Sequence, residues 1–532
     1  MAKLPPLVMR DFSPGVVSTV DDTLLPDNIL VKSINAYSDE AFNNKLGNLK
    51  RRPGYYYIDS TSSKTGQFSD TEAGGLVPAF TKNSIVGLFN GDTTLYAAVN
   101  DNTSYNKTVI FYYSSYTWAP ITATNTFNKN ARIRFEYLGN RIYCVQYGID
   151  MKSFVPGAYV LGTTNCLVGI TVSLIKEYQG RLYTAGTFQN DNKVYFSSPV
   201  DSSNNITWDT TYGWFKVGLS DMQTITGFEV NNILLIFKLN GMYTYNGVST
   251  QSEPLYNVGA LNQEVIQTIK GVTYFAGPVL NTLKIFEYTG SEPVDISTPV
   301  KDWLYNYAYE YLVNGAGTYY DMQYLTSSFK DEDNYYISLG DVTYKDGITY
   351  SNIVLRFNLT HRSWTVYSFA DQVLIGTVLQ TRNLRGNTAF NGSSSVKGNL
   401  TIIGDDSGTV STFGTGNTDN GVSIDSELKT KKLNFGSSAR IKTIGKFFGY
   451  CDGNFAETTV HVIIDGKKPQ YVGTFTDKIT TFELAEEGRE FEFVVLNHGN
   501  TLSTLNDTTL GSEAFIFKGF EFPNVDIQEY ES

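Results

Sequence analysis

The sequence predicts an all-β protein: a β-propeller of six or seven blades, some irregular, followed by a C-terminal antiparallel β-sandwich and preceded by an extended N-terminal arm. Three observations carry this expectation. The composition favours strands and turns, a two-strand unit recurs through the middle of the chain, and the strands change character near residue 418.

Of 532 residues, 14% are aromatic, with Tyr 37 and Phe 33, beside Gly 47. Aromatic and β-branched side chains suit a pleated, half-buried surface. Gly, Asn and Asp tolerate the left-handed backbone that tight hairpins need. At this length more than one core is expected, since single cores rarely grow beyond roughly 250–300 residues.

The recurring unit is an apolar strand, a polar turn and a returning strand rich in Tyr or Phe. Ile85 to Phe89 turns at Asn90-Gly91-Asp92 and returns through Leu95 to Val99, then Val109 to Tyr113. Leu138-Gly139-Asn140-Arg141-Ile142-Tyr143 and Tyr178-Gln179-Gly180-Arg181-Leu182-Tyr183 are similar enough to hold one structural position; the second continues through a turn at Gln189 to Asn192. Further units are Asn231 to Phe237 with Met242 to Tyr245, Val272 to Ala276 with Leu283 to Tyr288, Asn334 to Leu339 with Ile353 to Phe357, and Asn399 to Ile403 with Thr409 to Phe413. They start about 40 to 65 residues apart, the period of propeller blades rather than solenoid coils. A blade buries its faces only against neighbouring blades, so closure into a ring leaves short, protected edges. Trp118 and Trp364 each follow a returning strand, as in kelch-like blades. Helical periodicity is confined to a short, Tyr-rich stretch from Val300 to Tyr311.

The expected division is an arm over 1–65, a propeller over 66–418 and a sandwich over 419–532. The last contains longer strands at Ile424 to Leu433, Arg440 to Phe448, Thr458 to Ile464, Lys478 to Leu484, Phe491 to Asn497 and Glu513 to Phe522, an ordinary sandwich of about 110 residues. Pro5-Pro6, Pro14-Gly15, Pro26-Asp27 and Pro53-Gly54 mark the first segment as an arm that crosses other subunits or donates a strand to close the ring.

Chemistry is sparse. Only His361, His461 and His498 are available as neutral-pH bases, none in a metal or protease motif. Cys144, Cys166 and Cys451 are scattered and read as buried small hydrophobes. Nucleophile elbows, Walker loops and dinucleotide fingerprints are absent from the sequence. Asp405 and Asp406 in Gly404-Asp405-Asp406-Ser407-Gly408 offer oxygens to Ca²⁺, but the same residues make a hairpin turn, the preferred reading. Whether two carboxylates are placed for glycoside hydrolysis is a three-dimensional question. Sialidase-type Ser-x-Asp-x-Gly-x-Thr-Trp boxes are missing, and Ser203 to Trp208 matches one only loosely. No catalytic, cofactor-binding or metal-binding residue is assigned, and no cofactor is expected.

The formal charge of −12 argues against a surface that grips nucleic acid through its phosphates. Lys50-Arg51-Arg52 and Lys429, Lys431 and Lys432 stand out against it, as solvated faces or as contacts with an acidic neighbour or DNA phosphate. The first residues lack the apolar core of a secretory signal, and the longest apolar run, Ile233 to Phe237, is far below the ~20 residues of a membrane span. Synthesis in the cytoplasm without membrane insertion is expected.

Leu25-Pro26-Asp27-Asn28, Asn35-Ala36-Tyr37 and Gly47-Asn48-Leu49-Lys50-Arg51-Arg52-Pro53-Gly54 together resemble the opening of the tail-nozzle, or packaged-DNA stabilization, family of short-tailed bacteriophages. A second resemblance runs from Gly404 through Val410 and Gly414 to Gly421, then Ile424 and Phe435-Gly436, similar to the hairpin and turn that precede a sandwich in phage tail proteins. The resemblance implies a structural virion protein in the tail, made in the host bacterial cytoplasm. It would form a homohexameric hub below the portal and adaptor, contact other tail or fibre proteins, and retain packaged double-stranded DNA without reading its sequence. It brings no catalytic residues. Alternatives are a receptor-binding propeller that recognises host glycans and, third, a polysaccharide-degrading glycosidase.

Overall fold

The computed structural model describes residues 2–18, 25–38, 48–58, 67–68, 82–91, 94–101, 107–114, 117–121, 127–129, 131–186, 192–218, 224–248, 254–280, 282–304, 326–380, 399–414, 418–453, 457–499 and 515–528. Strands dominate them, and six propeller blades are each wound from one stretch of chain. Their innermost strands are Lys82–Asn90, Ile133–Leu138, Leu174–Tyr178, Ile225–Asn231, Gln267–Ile269 and Ser327–Lys330, and each pairs antiparallel with the next strand in sequence. A seventh sheet begins at Val373–Gln380, continues through Asn399–Asp405 and Val410–Phe413, and takes its outer strand, Tyr55–Tyr57, from the N-terminal segment. Its inner strand packs against those of the first and sixth blades, so the ring closes.

The core lies between blades, as a blade with two apolar faces requires. Phe135 and Ile142 of the second blade pack with Val86 and Tyr96 of the first, and Leu379 and Ile402 of the seventh with Ile85 and Phe111 of the first. Phe329 and Tyr336 of the sixth stack on each other at 4.6 Å and meet the seventh blade's Phe413 edge-on. The hairpins closing at Leu138↔Arg141 and Tyr178↔Arg181 occupy the same inner position in successive blades. Trp118 and Trp364 are buried on outer strands.

Among its described residues the segment read as an arm encloses only a small apolar cluster of its own, Leu25, Ile29 and Val31 with Val17, and its strands are shared out between the two bodies. Ala2–Lys3, Leu7–Met9, Ala36–Ser38 and Leu49–Arg51 join an eight-stranded sheet with Lys442–Asp452, Ile479–Gly488, Ile516–Phe522 and Val525–Ile527. The opposing layer contains Ser426–Thr430, Phe491–Asn497, Thr458–Ile464 and Gln470–Thr474, and the two faces enclose Phe447, Phe482, Phe493, Phe520 and Phe522. Leu30–Ile34 pairs with Ser426–Thr430 on one side and with the sixth blade's outer strand, Ser363–Ser368, on the other. A single nine-stranded sheet therefore runs from the propeller into the sandwich. The division drawn at residues 65 and 66 thus separates strands that the fold pairs, because the arm's hydrogen-bonding edges are satisfied some 350–525 residues away in sequence.

Of the helix expected over Val300 to Tyr311, a 3-10 turn at Thr298–Val300 and one helical turn over 301–304 are present; 305–311 lie outside the described residues. Asp92 and the turn residues Gln189 to Asp191 lie outside them too. No helix among the described residues is long and apolar enough to cross a membrane.

Candidate functional site

Two polar constellations stand out, one at the joint between propeller and sandwich and one on the propeller axis.

At the joint, Arg52 is 2% exposed, and Asp419 also lies in the interior. The guanidinium grips both carboxylate oxygens, at 2.8 Å and 2.5 Å, the bidentate geometry that makes such pairs strong. It also donates to Asn35 Oδ1 at 2.8 Å and to the Ser368 carbonyl at 2.7 Å, and lies 4.3 Å from the centre of the Phe369 ring. One side chain thereby ties the N-terminal segment, the end of the sixth blade and the entry to the sandwich. Gly54 is required beside it, since a Cβ there would stand 1.9 Å from the Thr418 carbonyl oxygen.

The remaining basic cluster is spent in the same way. Lys429 pairs with Glu492 at 2.5 Å, Lys431 with Asp27 at 2.7 Å, and Lys432 approaches Glu490 at 3.8 Å. The sequence left solvated faces and external anions as readings; neither describes the buried Arg52 and Lys431, while Lys432, 38% exposed, fits the solvated one. Burial raised the value of internal carboxylates as partners.

On the axis, charged residues of the inner strands and of the turn before the fifth blade meet one another. Arg134 of the second blade meets Glu264, just ahead of the fifth, through two hydrogen bonds of 2.7 Å and 2.8 Å, a pair that spans the ring. Burial pushes the Glu264 carboxyl up, but Arg134 and Arg132 outweigh it and hold it below the usual range. Arg132 donates to the Leu374 carbonyl of the seventh blade at 2.5 Å. Further along, Lys176 and Glu229 approach to 3.5 Å. Glu136 shares their field: burial raises its carboxyl, opposed by Lys176. Lys330 is lowered by burial, with Glu229 opposing. Glu264 and Glu229 thus each have a cation partner, while Glu136 only shares the field of Lys176 and stays raised. Only the charged positions inside otherwise apolar inner strands, such as Arg134 and Glu136 in Ile133–Leu138, signalled this in the sequence.

The chain is similar to several solved propeller structures. These include BamB from Moraxella catarrhalis, at 11% identity and a TM-score of 0.35 over 62% of this chain and 82% of that one. YCF48 bound to D1 peptide is similar at 10% identity and 0.37 over 63% and 93%, and a chain of the mitotic checkpoint complex at 8% and 0.39 over 64% and 93%. Similarity this low carries no function across. No family model and no curated protein sequence matches the chain.

Asp405 makes the hairpin turn preferred from the sequence. Its Oδ1 accepts from the Ser407 N–H at 3.0 Å, the Ser407 hydroxyl at 2.7 Å and the Thr409 N–H at 2.8 Å. Asp406 Oδ1 accepts instead from the Gln372 N–H at 3.1 Å. No group of three or more His, Cys, Asp or Glu side chains that could hold a metal ion occurs among the described residues. Burial, with Asp371 nearby, pushes the Asp405 carboxyl up to about 7 against the Ser407 hydrogen bond. Asp405→Ala is expected to cost about 1–3 kcal/mol, because the turn donors lose their buried acceptor, and Asp405→Asn less, because Oδ1 remains. A proton held more tightly in the folded state makes wild-type stability, relative to Asp405→Asn, fall as pH rises from about 4 to about 7 and stay level above. Urea titrations of both proteins across that range check the sign.

Cys144 and Cys451 are buried and Cys166 half-buried, all three as free thiols. Burial pushes Cys166 up to about 11 and Cys451 up to about 12, away from thiolate reactivity. His461 packs edge-on to Tyr471 at 5.5 Å, and His498 lies 3.6 Å from Asp425 at the surface. Ser203 to Trp208 falls in the third blade's outer loop, where Asp201, outside the matched box, organises the turn.

Proposed function

We propose that the chain is a structural subunit of a short-tailed bacteriophage tail, a hub or nozzle protein that assembles as a hexameric ring below the portal and adaptor. The observation that carries this is the place of residues 48–54. The residues that bear the family resemblance are also the joint: Leu49–Arg51 enters the sandwich, Arg52 locks the two bodies, and Tyr55–Tyr57 closes the seventh blade. Domains fused by a shared sheet and a buried ion pair move together, which suits a ring that resists the pressure of packaged DNA. Internal pairing of Arg52, Lys429 and Lys431 leaves the acidic chain fewer cations to hold phosphates, so double-stranded DNA slides through the lumen rather than being gripped.

Native mass measurement of the chain mixed with its adaptor ring tests the reading. Six copies per ring are expected, with loss of packaged DNA from particles that lack the chain. A chain that stays monomeric with the adaptor, together with DNA-filled particles in its absence, removes the proposal.

A further inference from the structure

Three of the five tryptophans, Trp118, Trp303 and Trp364, are fully buried. The other two, Trp208 and Trp214, are half-exposed at the end of the loop that links Lys193–Phe196 to Trp214–Lys216 in the third blade. Between them Tyr212 is 80% exposed. Among the described residues its hydroxyl has no hydrogen-bond partner and its ring no aromatic neighbour. An aromatic ring left in water forgoes the stabilisation that burial gives it, about 25 cal/mol per Å².

The loop fixes the backbone that carries this ring. Asp209 Oδ1 accepts from the Thr211 and Tyr212 N–H groups at 2.8 Å and 3.0 Å, and Asp201 Oδ1 accepts from the Ser203 and Asn205 N–H groups, both at 2.8 Å. Trp208 Nε1 donates to the Asn165 carbonyl at 2.9 Å and Trp214 Nε1 to the Thr211 carbonyl at 3.0 Å. Both indole N–H groups are thus satisfied by backbone, and both rings pack partly on the core between the second and third blades.

The surroundings define the ligand. Ser202, Ser203, Asn204, Thr207, Thr210 and Thr211 are all exposed. A protein contact of useful strength needs an apolar centre from which water is excluded, and the exposed residues of the loop that carries Tyr212 are mostly hydroxyl and amide side chains. A pyranose matches it: the C–H face of the sugar lies on Tyr212, and its hydroxyls bond the rim. The second oxygens of Asp201 and Asp209 are free to accept from those hydroxyls and repel an anionic sugar.

We infer that the 197–214 loop of the third blade is a carbohydrate-binding platform for neutral hexose oligosaccharides, with Tyr212 as its stacking residue. The assignment is independent of ring assembly. The full chain is screened on an array of neutral hexose oligosaccharides, and the best binder is titrated against wild type and Tyr212→Ala by calorimetry. Binding by wild type and a roughly five- to tenfold loss in Tyr212→Ala are expected, the range of one aromatic stacking contact. An unchanged thermal midpoint in the variant shows that the fold is intact, as an 80% exposed side chain predicts. Wild type that binds no neutral oligosaccharide on the array, or a variant that binds as tightly as wild type, overturns the assignment. So does a variant whose only defect is in association with further copies of the chain.

Discussion

Replacing Arg52 by alanine is expected to lower the stability of the folded chain by roughly 3–5 kcal/mol, the cost of leaving a buried partner charge uncompensated. Asp419 is the partner that suffers. Both its oxygens are committed to Arg52, with one further 3.2 Å hydrogen bond from the Ala370 N–H. Asn35 would lose the donor to its Oδ1, which the Ser368 N–H also shares at 2.7 Å. Lysine is a poor substitute, because a single ammonium cannot reproduce the planar fork that meets Asp419, Asn35 and Ser368 together. The measurement is urea unfolding followed by tryptophan fluorescence, with Arg52→Ala, Asp419→Asn and the double variant forming a cycle. A large coupling between the two positions is expected, with the double variant less damaged than the sum of the singles. If Arg52→Ala costs no more than the ~1 kcal/mol of an exposed pair, the joint is not what holds the two bodies together.

Arg52 also marks where sequence reading loses its grip. The blades were legible because their information is local: a strand, a turn of two to four residues and a returning strand are contiguous, and the Leu138 and Tyr178 hairpins repeat the pattern with Arg and Tyr at matching positions. The same locality made the Asp405 turn readable. The joint is different in kind. Arg52 and Asp419 are 367 residues apart, and a basic triplet looks the same whether its partner is solvent, DNA or a carboxylate across the chain. The outer strand of the seventh blade has only three residues, Tyr55–Tyr57, too few for an alternation to register. Val525–Ile527 was missed for the same reason, and Gln470–Thr474 because its five residues show no buried alternation to read. On the axis, Arg134 and Glu136 were visible as charges in an apolar strand. That they face Glu264 and Lys176 depends on ring closure, which no local pattern encodes.

Gly54→Ala should open the seventh blade. The added Cβ would lie 1.9 Å from the Thr418 carbonyl oxygen, 2.5 Å from its carbon and 2.8 Å from the Thr418 nitrogen, all backbone atoms that cannot rotate aside. Either Tyr55–Tyr57 or Thr418–Asp419 must withdraw, yet the first pairs with Val410–Phe413 and the Tyr55 carbonyl accepts from the Asn420 N–H at 2.8 Å. The cost belongs at or above the top of the ~1–3 kcal/mol typical of overpacking, since main chain and not a flexible side chain has to move. Release of Tyr55–Tyr57 would leave Val410–Phe413 as an unpaired edge and uncover Phe413, which packs at 5.6 Å against Phe369. Hydrogen exchange read by mass spectrometry should therefore show lost protection confined first to 55–57 and 410–413, ahead of any change in the sandwich sheets. Gly445→Ala is the control: its Cβ meets nothing within 4 Å, so the same chemical change there should leave stability within about 0.5 kcal/mol. Equal behaviour of the two variants would mean that the N-terminal strand does not close the ring, and the link between the Gly47–Gly54 motif and a rigid tail subunit would fail with it.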